Sequence, residues 1–530
     1  MTMPNMIPWI GPSYKLAGNS MASRESINCY LQSGEGLAKY SELLIGTPGT
    51  QLTEDLESLV GDPNRGCRGL WLTGASPYEG GNLYWCYGSK VGYTYKDETT
   101  GLLQSVVIGD IGLDTKRVSF TDNGFSVVLA TGQSMYTIDI FTDVLKDITA
   151  DLPFTLPLQV VYSLGRLYAI SADPTTTARA DIGTAIKSNL IWYSELSDAN
   201  TWDGLSFIPA DLNADPIKSI VVRQGDLWAF GTRSYQIFST TSDPDEPMAY
   251  APGSGTLIGI DAPNTAVGIS DNIFWLGSNS AGRNVVFMGA GYGSTRISDH
   301  GIEAELDKLQ GLTSEAYGFS YQDAGHLFYC LTIPPGSYVY QGENRVSLGK
   351  TYCYDVLTGV WHERVSRNPK TGELSAWQPL FSSFAWGKII VGNLLHPVLL
   401  ELKNDVFTDY DPTTIDKKKP ITRMYQGPIL FENLQTFTLY EFVWDIITGH
   451  GPLNGQSAQP TAQLQVSLDG GNTWGNIITE NLYKTGEYAG QVSWRLLGTA
   501  RAMAIRVIIT EDLRFMAGQA RVRTKLSGRP

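Results

Sequence analysis

Short polar turns alternate along the chain with strands rich in aromatic and β-branched residues, and the unit recurs. Each copy opens on Gly, Asp or Asn, runs into an aromatic-rich strand and often closes on another Gly. The copies are "GGNLYWCYG" at 80–88, "TDNGFSVVLATG" at 121–132, "SLGRLYAIS" at 163–171, "RQGDLWAFG" at 223–231, "SDNIFWLGS" at 270–278, "QDAGHLFYCL" at 322–331 and "FAWGKIIVG" at 384–392. Apolar runs of this length between turn residues read as β-strands. Partner strands follow several of them: "SKVGYTYKD", "TRSYQIFST", "AGRNVVFMG" and "KTYCYDVLTGVWHE". The last contains strand, Thr-Gly turn, strand. Spacings of about 40 to 60 residues suit four-stranded blades with variable loops. The pattern predicts an all-β fold, a β-propeller of six or seven blades. A stack of unrelated hairpins in a sandwich is the alternative.

Helical periodicity is scarce. In "RISDHGIEAELDKLQ", Ser298 or Asp299 can cap a short helix whose Ile302, Leu306 and Leu309 share one face. Three segments break the strand pattern: 172–189, 240–256 and 334–350. The first two read as polar loops and the third as a protruding hairpin. Turn residues, a basic run and a proline coincide in "DPTTIDKKKP" at 411–420, which marks a boundary. Beyond it "TFTLYEFVWDI", "AQLQVSLDGGNTW", "QVSWRLLG" and "AMAIRVIITED" alternate with period two, as in a small β-sandwich. The expected division is an N-terminal arm and strand (1–60), a propeller (61–410) and a C-terminal sandwich (411–530).

Composition narrows the function. At 530 residues the chain exceeds a single core. Its net charge of −14 argues against a tight grip on nucleic-acid phosphates. An acidic surface still suits a channel through which DNA slides without sticking. The five cysteines are scattered and form no C-x-x-C, which fits reduced thiols better than a disulfide framework. The opening residues lack the pattern of a signal peptide, and no apolar run of about 18 residues spans a membrane.

One stretch suggests chemistry. "SLDGGNTW" places Ser467, Asp469, Gly471, Thr473 and Trp474 in the S-x-D-x-G-x-T-W pattern of an Asp-box, a hairpin found in sialidases. The Asp can bind backbone N–H groups of the turn, the Gly supplies positive φ, and the Trp is expected to pack underneath. The box occurs once, outside the repeats, and no Arg-Ile-Pro accompanies it, so it reads as a structural turn. The five histidines never pair at metal-ligand spacing. No Walker A or G-x-S-x-G motif occurs. No catalytic, metal or cofactor residues are nominated, and the chain is not expected to be an enzyme. Lys417, Lys418 and Lys419 form a compact basic run that could touch DNA or an acidic neighbour; a solvated linker is the default reading.

Three further stretches, taken in order, carry a resemblance. The first is "SMASRESINCYLQSGEGLAKYSELLIGTPGTQL", with Arg24, Asn28-Cys29-Tyr30 and "LLIGTPG". The second is "STRISDHGIEAELDKLQGLTSEAYGFSYQDAGHLFYCLTIP", in which a short helix leads to a strand ending in L-x-I-P. The third pairs "SLDGGNTWGN" with "WRLLGTARAMAIRVIIT". Together they resemble the packaged-DNA stabilisation, or tail hub (nozzle), proteins of short-tailed bacteriophages. The resemblance implies a structural virion protein of the tail, assembled in the host cytoplasm. It implies a homo-hexameric ring below the portal-adaptor (head-tail connector), without a cofactor. Tail spikes or fibres attach around such a ring, a needle or plug closes it, and DNA is transient cargo. The membrane is not entered by this chain. Two other classes stay open: a propeller-type glycan-binding protein or sialidase-like glycoside hydrolase, and a tail fibre or receptor-binding component.

Overall fold

A computed structural model describes residues 5–15, 23–34, 39–173, 176–179, 183–213, 215–243, 245–279, 282–368, 371–433, 435–453 and 456–526. Each of the seven recurring units forms the second strand of one antiparallel blade, four-stranded except for blade 5, where Gly259–Ile260 adds a fifth strand. These strands are Asn82–Tyr87, Ser126–Ala130, Arg166–Ser171, Asp226–Gly231, Asn272–Asn279, His326–Ile333 and Lys388–Asn393. Both faces of a second strand meet neighbouring blades, so its side chains are apolar in both parities. In Asn82–Tyr87 every residue is buried.

The innermost strands are Cys67–Thr73, Ser119–Asp122, Pro157–Ser163, Ile217–Arg223, Val267–Ile269, Tyr317–Asp323 and Pro379–Ala385. Each packs beside the next, and the seventh returns to the first, so seven blades close a ring. The closing contact comes from far away in sequence. Gly49–Asp55 is the outer strand of blade 7, antiparallel to Val398–Lys403, with Leu52 opposite Leu400. This differs from the expected arm over 1–60. Gly49–Asp55 reads as too polar for a blade because an outermost strand buries only part of its surface.

The segments that break the repeat are mostly elaborations of single blades. The pair Thr176–Arg179 and Gly183–Ile186, expected as loop, forms a hairpin in blade 3. Gly336–Tyr340 and Glu343–Ser347 form the protruding hairpin of blade 6. The helix His300–Lys308 is capped by Asp299, whose carboxylate accepts from Ile302 N at 2.9 Å. Part of 240–256 is also strand: Met248–Tyr250 is the outer strand of blade 4.

The sandwich uses both ends of the described chain. One sheet orders Cys29–Ser33, Glu42–Gly46, Met516–Leu526, Phe437–Ile446 and Val492–Ala500, with Asn5–Ile7 beside Met516–Leu526. The other does not stop at the sandwich. The outer strand of blade 6, Val360–Arg367, pairs in parallel with Ser23–Ile27, which pairs with Thr422–Gln426 and onward through Ala502–Thr510 and Thr461–Ser467. Blade 6 and the sandwich thus share one hydrogen-bonded sheet. Between the two sandwich sheets lies a core that includes Trp9, Phe442, Trp444, Trp494, Ile505 and Val507.

Candidate functional site

The Asp-box lies at the end of Thr461–Ser467. Asp469 Oδ1 accepts from Asn472 N and Thr473 N, both at 2.9 Å, and from Ser467 Oγ at 2.6 Å. Thr473 Oγ1 donates to Oδ2 at 2.6 Å, and Gly471 N donates to Ser467 Oγ at 2.7 Å. The Ser467 hydroxyl, followed by the Thr473 donors, holds the Asp469 carboxyl well below its ordinary range. Gly470 and Gly471 both have positive φ. Trp474 does not pack into the core. It lies half-exposed on the outer face of the sheet, with the Arg506 guanidinium carbon 4.1 Å from its ring centroid. Arg506 is held there by two hydrogen bonds to Gln465 Oε1, at 3.0 and 2.8 Å.

The basic run is not a free linker. Lys418–Pro420 pairs with Thr408–Tyr410 in a hairpin. Lys417 Nζ lies 2.8 Å from Asp55 and Lys419 Nζ 3.4 Å from Asp411, while Lys418 is exposed. Two of the three charges are thus matched within the chain.

A dense polar network lies at the junction of blade 6, blade 7 and the sandwich. Asn28 stands where the N-terminal chain crosses from one sandwich sheet to the other, with φ of 54°. Its Nδ2 donates to Val365 O at 3.0 Å and Thr422 O at 2.8 Å, and its Oδ1 accepts from Val365 N at 3.0 Å. Arg364, on the outer strand of blade 6, is 1% exposed. Its Nη1 donates to Tyr321 Oη and its Nη2 to Pro48 O, both at 2.9 Å, and its Cζ lies 3.6 Å from the Trp377 ring centroid. Nearby, the Asp409 carboxylate accepts from Ser366 and Thr50 at 3.3 and 3.5 Å, and burial raises its pKa.

The "LLIGTPG" motif acquires a physical reason here. A side chain at Gly46 would put Cβ 2.6 Å from Arg423 Nε, and one at Gly49 would put it 2.4 Å from Thr408 O. Both glycines admit close neighbours. Arg423 is 1% exposed and reaches Glu511 O at 3.5 Å, and burial lowers its pKa. Of this network the sequence flagged Asn28 and the "LLIGTPG" motif, but neither Arg364 nor Arg423. Arg364 and Arg423 sit at polar places in alternating strands and read as solvent-facing. Their signal was strand membership beside Val365 and Met424, in a sheet that later proves covered on both sides.

Groups of catalytic type do meet in blade 6. The Cys330 and Cys353 sulfurs are 2.8 Å apart on neighbouring strands, Cys353 faces His362 across the sheet, and His326 Nδ1 lies 2.7 Å from Asp355 Oδ2. The carboxylate therefore orients His326, not the histidine beside the thiol, and both cysteines are fully buried. This is not a thiol–imidazole–carboxylate relay. Burial pushes the Cys29, Cys67 and Cys86 thiols up to about 12 and raises Cys330, whereas at Cys353 hydrogen bonds from Cys330 and His362 outweigh burial and lower the thiol. No group of three His, Cys, Asp or Glu able to hold a metal occurs among the described residues.

The propeller axis is obstructed. Arg117 precedes the inner strand of blade 2, yet its Nη1 donates at 3.2 Å to Asn264 O, at the start of blade 5 across the ring. Its Cζ lies 5.1 Å from the Phe381 ring centroid, and Phe381 meets Tyr317 edge-on at 5.9 Å. Side chains of blades 2, 6 and 7 and a backbone carbonyl of blade 5 bridge the mouth. A cleft of about 650 Å³ opens between blade 6 and the sandwich, with Asp323, Asp405, His450, Asp512 and Arg514 in its walls, and one of about 930 Å³ lies between blades 4 and 5, with Lys218, Arg233, Asp261 and Arg283 in its walls.

Comparison with known proteins gives one family. The family model described as "Phage_stabilise: Bacteriophage P22 Gp10, beta-propeller" matches residues 79–406. No curated protein matches. Among solved structures, the N-terminal domain of Nup159 is 10% identical with a TM-score of 0.38, covering 71% of this chain and 98% of that one. A chain of the mitotic checkpoint complex is 8% identical with a TM-score of 0.37 (70% and 95% covered). A fungal alcohol oxidase in complex with copper is 9% identical, also at 0.37 (86% and 92%). At this distance none bears on function.

Proposed function

Because the chain belongs to the Bacteriophage P22 Gp10 β-propeller family, and is thus a phage packaged-DNA stabilisation protein, we propose that it is the hub, or nozzle, of a short phage tail. In this reading several copies, six by the family resemblance, form a ring below the portal-adaptor. The ring extends the DNA channel, retains the packaged genome and passes it during ejection. Tail spikes or fibres and a needle or plug attach to it.

The observation that carries the reading is the family match across the propeller. The obstructed axis adds a geometric condition. With Arg117 tied to the far side of the ring, duplex DNA has no path through a single propeller. A channel must then lie between copies. Its wall is expected to be acidic or neutral, because a lumen of Lys and Arg would hold phosphates. A glycan hydrolase would instead use an open cleft with converging acids and arginines, such as the one walled by Asp323, Asp405, Asp512 and Arg514, and cleavage of a glycan by the purified protein would favour that reading.

The test is imaging of the purified protein and of particles. A sixfold ring at the portal vertex, and DNA loss from particles lacking the protein, are the expected results. A monomer that docks on no portal-adaptor complex would overturn the assignment.

A further inference from the structure

The net charge conceals a strong polarity. Residues 1–410 hold 26 Lys+Arg against 43 Asp+Glu, whereas residues 411–530 hold 13 against 10. The basic excess concentrates further in the last strands, where 492–526 has seven Lys+Arg and two acids. Side chains alternate across a strand. Val522 and Ala520 point into the sandwich core, so Arg521, Arg523 and Lys525 occupy the opposite, outer face. Arg495 joins them from Val492–Ala500, one strand further across the sheet beyond Phe437–Ile446. Glu441 lies between them, 3.3 Å from Arg495 and 3.5 Å from Arg523, leaving the cluster net positive. Leu496, 79% exposed, stands beside it.

The acids concentrate elsewhere. The outer hairpins of blades 2 and 3, residues 135–151 and 190–209, contain seven acids and one lysine. Asp139, Asp143, Asp147, Asp151, Glu195 and Asp203 are exposed there. So are Phe141, Val144, Leu196 and Leu205, at 62%, 59%, 63% and 73%. Position in the ring gives this its meaning. The sandwich continues the sheet of blade 6, and in a closed ring of seven the blades opposite blade 6 are 2 and 3. The molecule carries a basic face at one end and an acidic, partly apolar face at the other.

We propose that these two faces are the halves of one self-association interface: the outer sandwich face of each copy docks on the outer hairpins of blades 2 and 3 of the next. Two different faces joined head to tail make a heterologous contact, the kind that generates closed rings. The occupant is a second copy because the complementary surface is on this chain. Charge pairing selects the partner and register, while the exposed Leu and Phe side chains supply apolar burial. The inference rests on the ring reading above and specifies which surfaces build the ring.

Sedimentation velocity on the full chain tests it, with three variants. One carries Arg521→Glu, Arg523→Glu and Lys525→Glu; the second carries Asp139→Lys, Asp143→Lys and Asp147→Lys; the third carries all six. The wild type should associate at low salt and dissociate as salt approaches about 1 M, where screening shortens to about 3 Å. Each three-site variant should weaken association at least tenfold, and the six-site variant should regain it. Because Asp139 and Asp147 also accept turn N–H groups and Asp143 accepts the Tyr93 hydroxyl, circular dichroism and melting are read for every variant, and only loss of assembly at an unchanged fold counts for the interface. Three-site variants that assemble normally would overturn the interface and leave the ring reading standing. So would a six-site variant that stays folded but monomeric. Duplex DNA retained by the wild type and lost from the arginine variant, at unchanged mass, would make the face a nucleic-acid surface instead. A wild type that is monomeric at every salt concentration would overturn the ring reading along with it.

Discussion

Replacing Arg364 with Met should release the strand that closes the propeller while leaving the distant blades intact. The guanidinium holds Pro48 O, at the entrance to the closing strand Gly49–Asp55, and Tyr321 Oη in blade 6, while stacking on Trp377. Hydrogen bonds from a charged group contribute about 1.5–3 kcal/mol each, and a desolvated cation–π contact about 2 kcal/mol. These terms are not additive, and Met recovers part of the packing of the aliphatic stem. Removing one member of a buried charged network costs about 3–5 kcal/mol in total. A chain this large is not a two-state unfolder, so a global midpoint is a poor readout. Native-state hydrogen exchange reads local opening directly. With about 1.4 kcal/mol per factor of ten, protection of the Thr50–Asp55 amides should fall roughly a hundred- to several-thousand-fold. The Val127–Ala130 amides of blade 2 should change less than about threefold by the same measure. Arg364→Lys should fall nearly as far as Met, since one ammonium cannot span both acceptors and stack. Protection at 50–55 within tenfold of the wild type, or an equal fall in blade 2, would refute the assignment of Arg364 as the clasp.

Three other perturbations address separate parts of the molecule. The Asp469 carboxyl is held below its ordinary value of 3.8, so its contribution to the folded hairpin is complete above that value and is lost as pH falls below it; a Trp474 fluorescence titration should show this acid step in the wild type and not in Asp469→Asn. Gly318→Ala would place Cβ 2.5 Å from Thr265 O, forcing blades 5 and 6 apart at a cost of about 1–3 kcal/mol; the melting temperature should drop, and an unchanged value would show that the inner strands have slack. Arg117→Ala removes the bridge to Asn264, yet particles carrying it should retain DNA as the wild type does; leakage would mean that the propeller axis is itself the DNA route.

Local pattern exposed the second strands because they are buried on both faces. It found the outer strand of blade 6 in "KTYCYDVLTGVWHE" but missed most of the others. Leu145–Asp147 is three residues long with two exposed, and Leu103–Asp110 has no fully buried position, so neither carries a hydrophobic signal. The helix at 300–308 was legible because its capping and its spacing are local. The closing strand was not, because its partner lies some 350 residues away and its own sequence, "GTQLTED", is mostly polar. The junction was hidden by the same alternation rule that found the strands. In Val360–Arg367 the polar residues His362, Arg364 and Ser366 occupy one parity, which in a half-buried sheet faces water. Blade 7 covers that face, and all three are buried. Trp474 shows the reverse error: an aromatic expected inside is held outside by a cation on the neighbouring strand.

The shared sheet has a mechanical consequence for the proposed role. Two domains joined by a peptide linker can swing, and inter-domain motion is the default where the contact is small and polar. Here the connection is a run of paired strands from Tyr317–Asp323 at the propeller axis to Ile478–Asn481 in the sandwich. Asn28 ties Val365 in blade 6 to Thr422 in the sandwich. The chain then returns through Gly46 and Gly49 to close the seventh blade. The N-terminal segment therefore crosses the joint and locks the propeller ring, so neither domain can loosen without opening a sheet. In a ring built head to tail, each sandwich transmits load from one copy to the next. Under the outward pressure of a packaged genome, a hinged joint would let the ring dilate, whereas a continuous sheet loads its hydrogen bonds together. The acidic pole and the basic pole lie at opposite ends of that stiff axis, and the ring diameter is then set by a nearly fixed length.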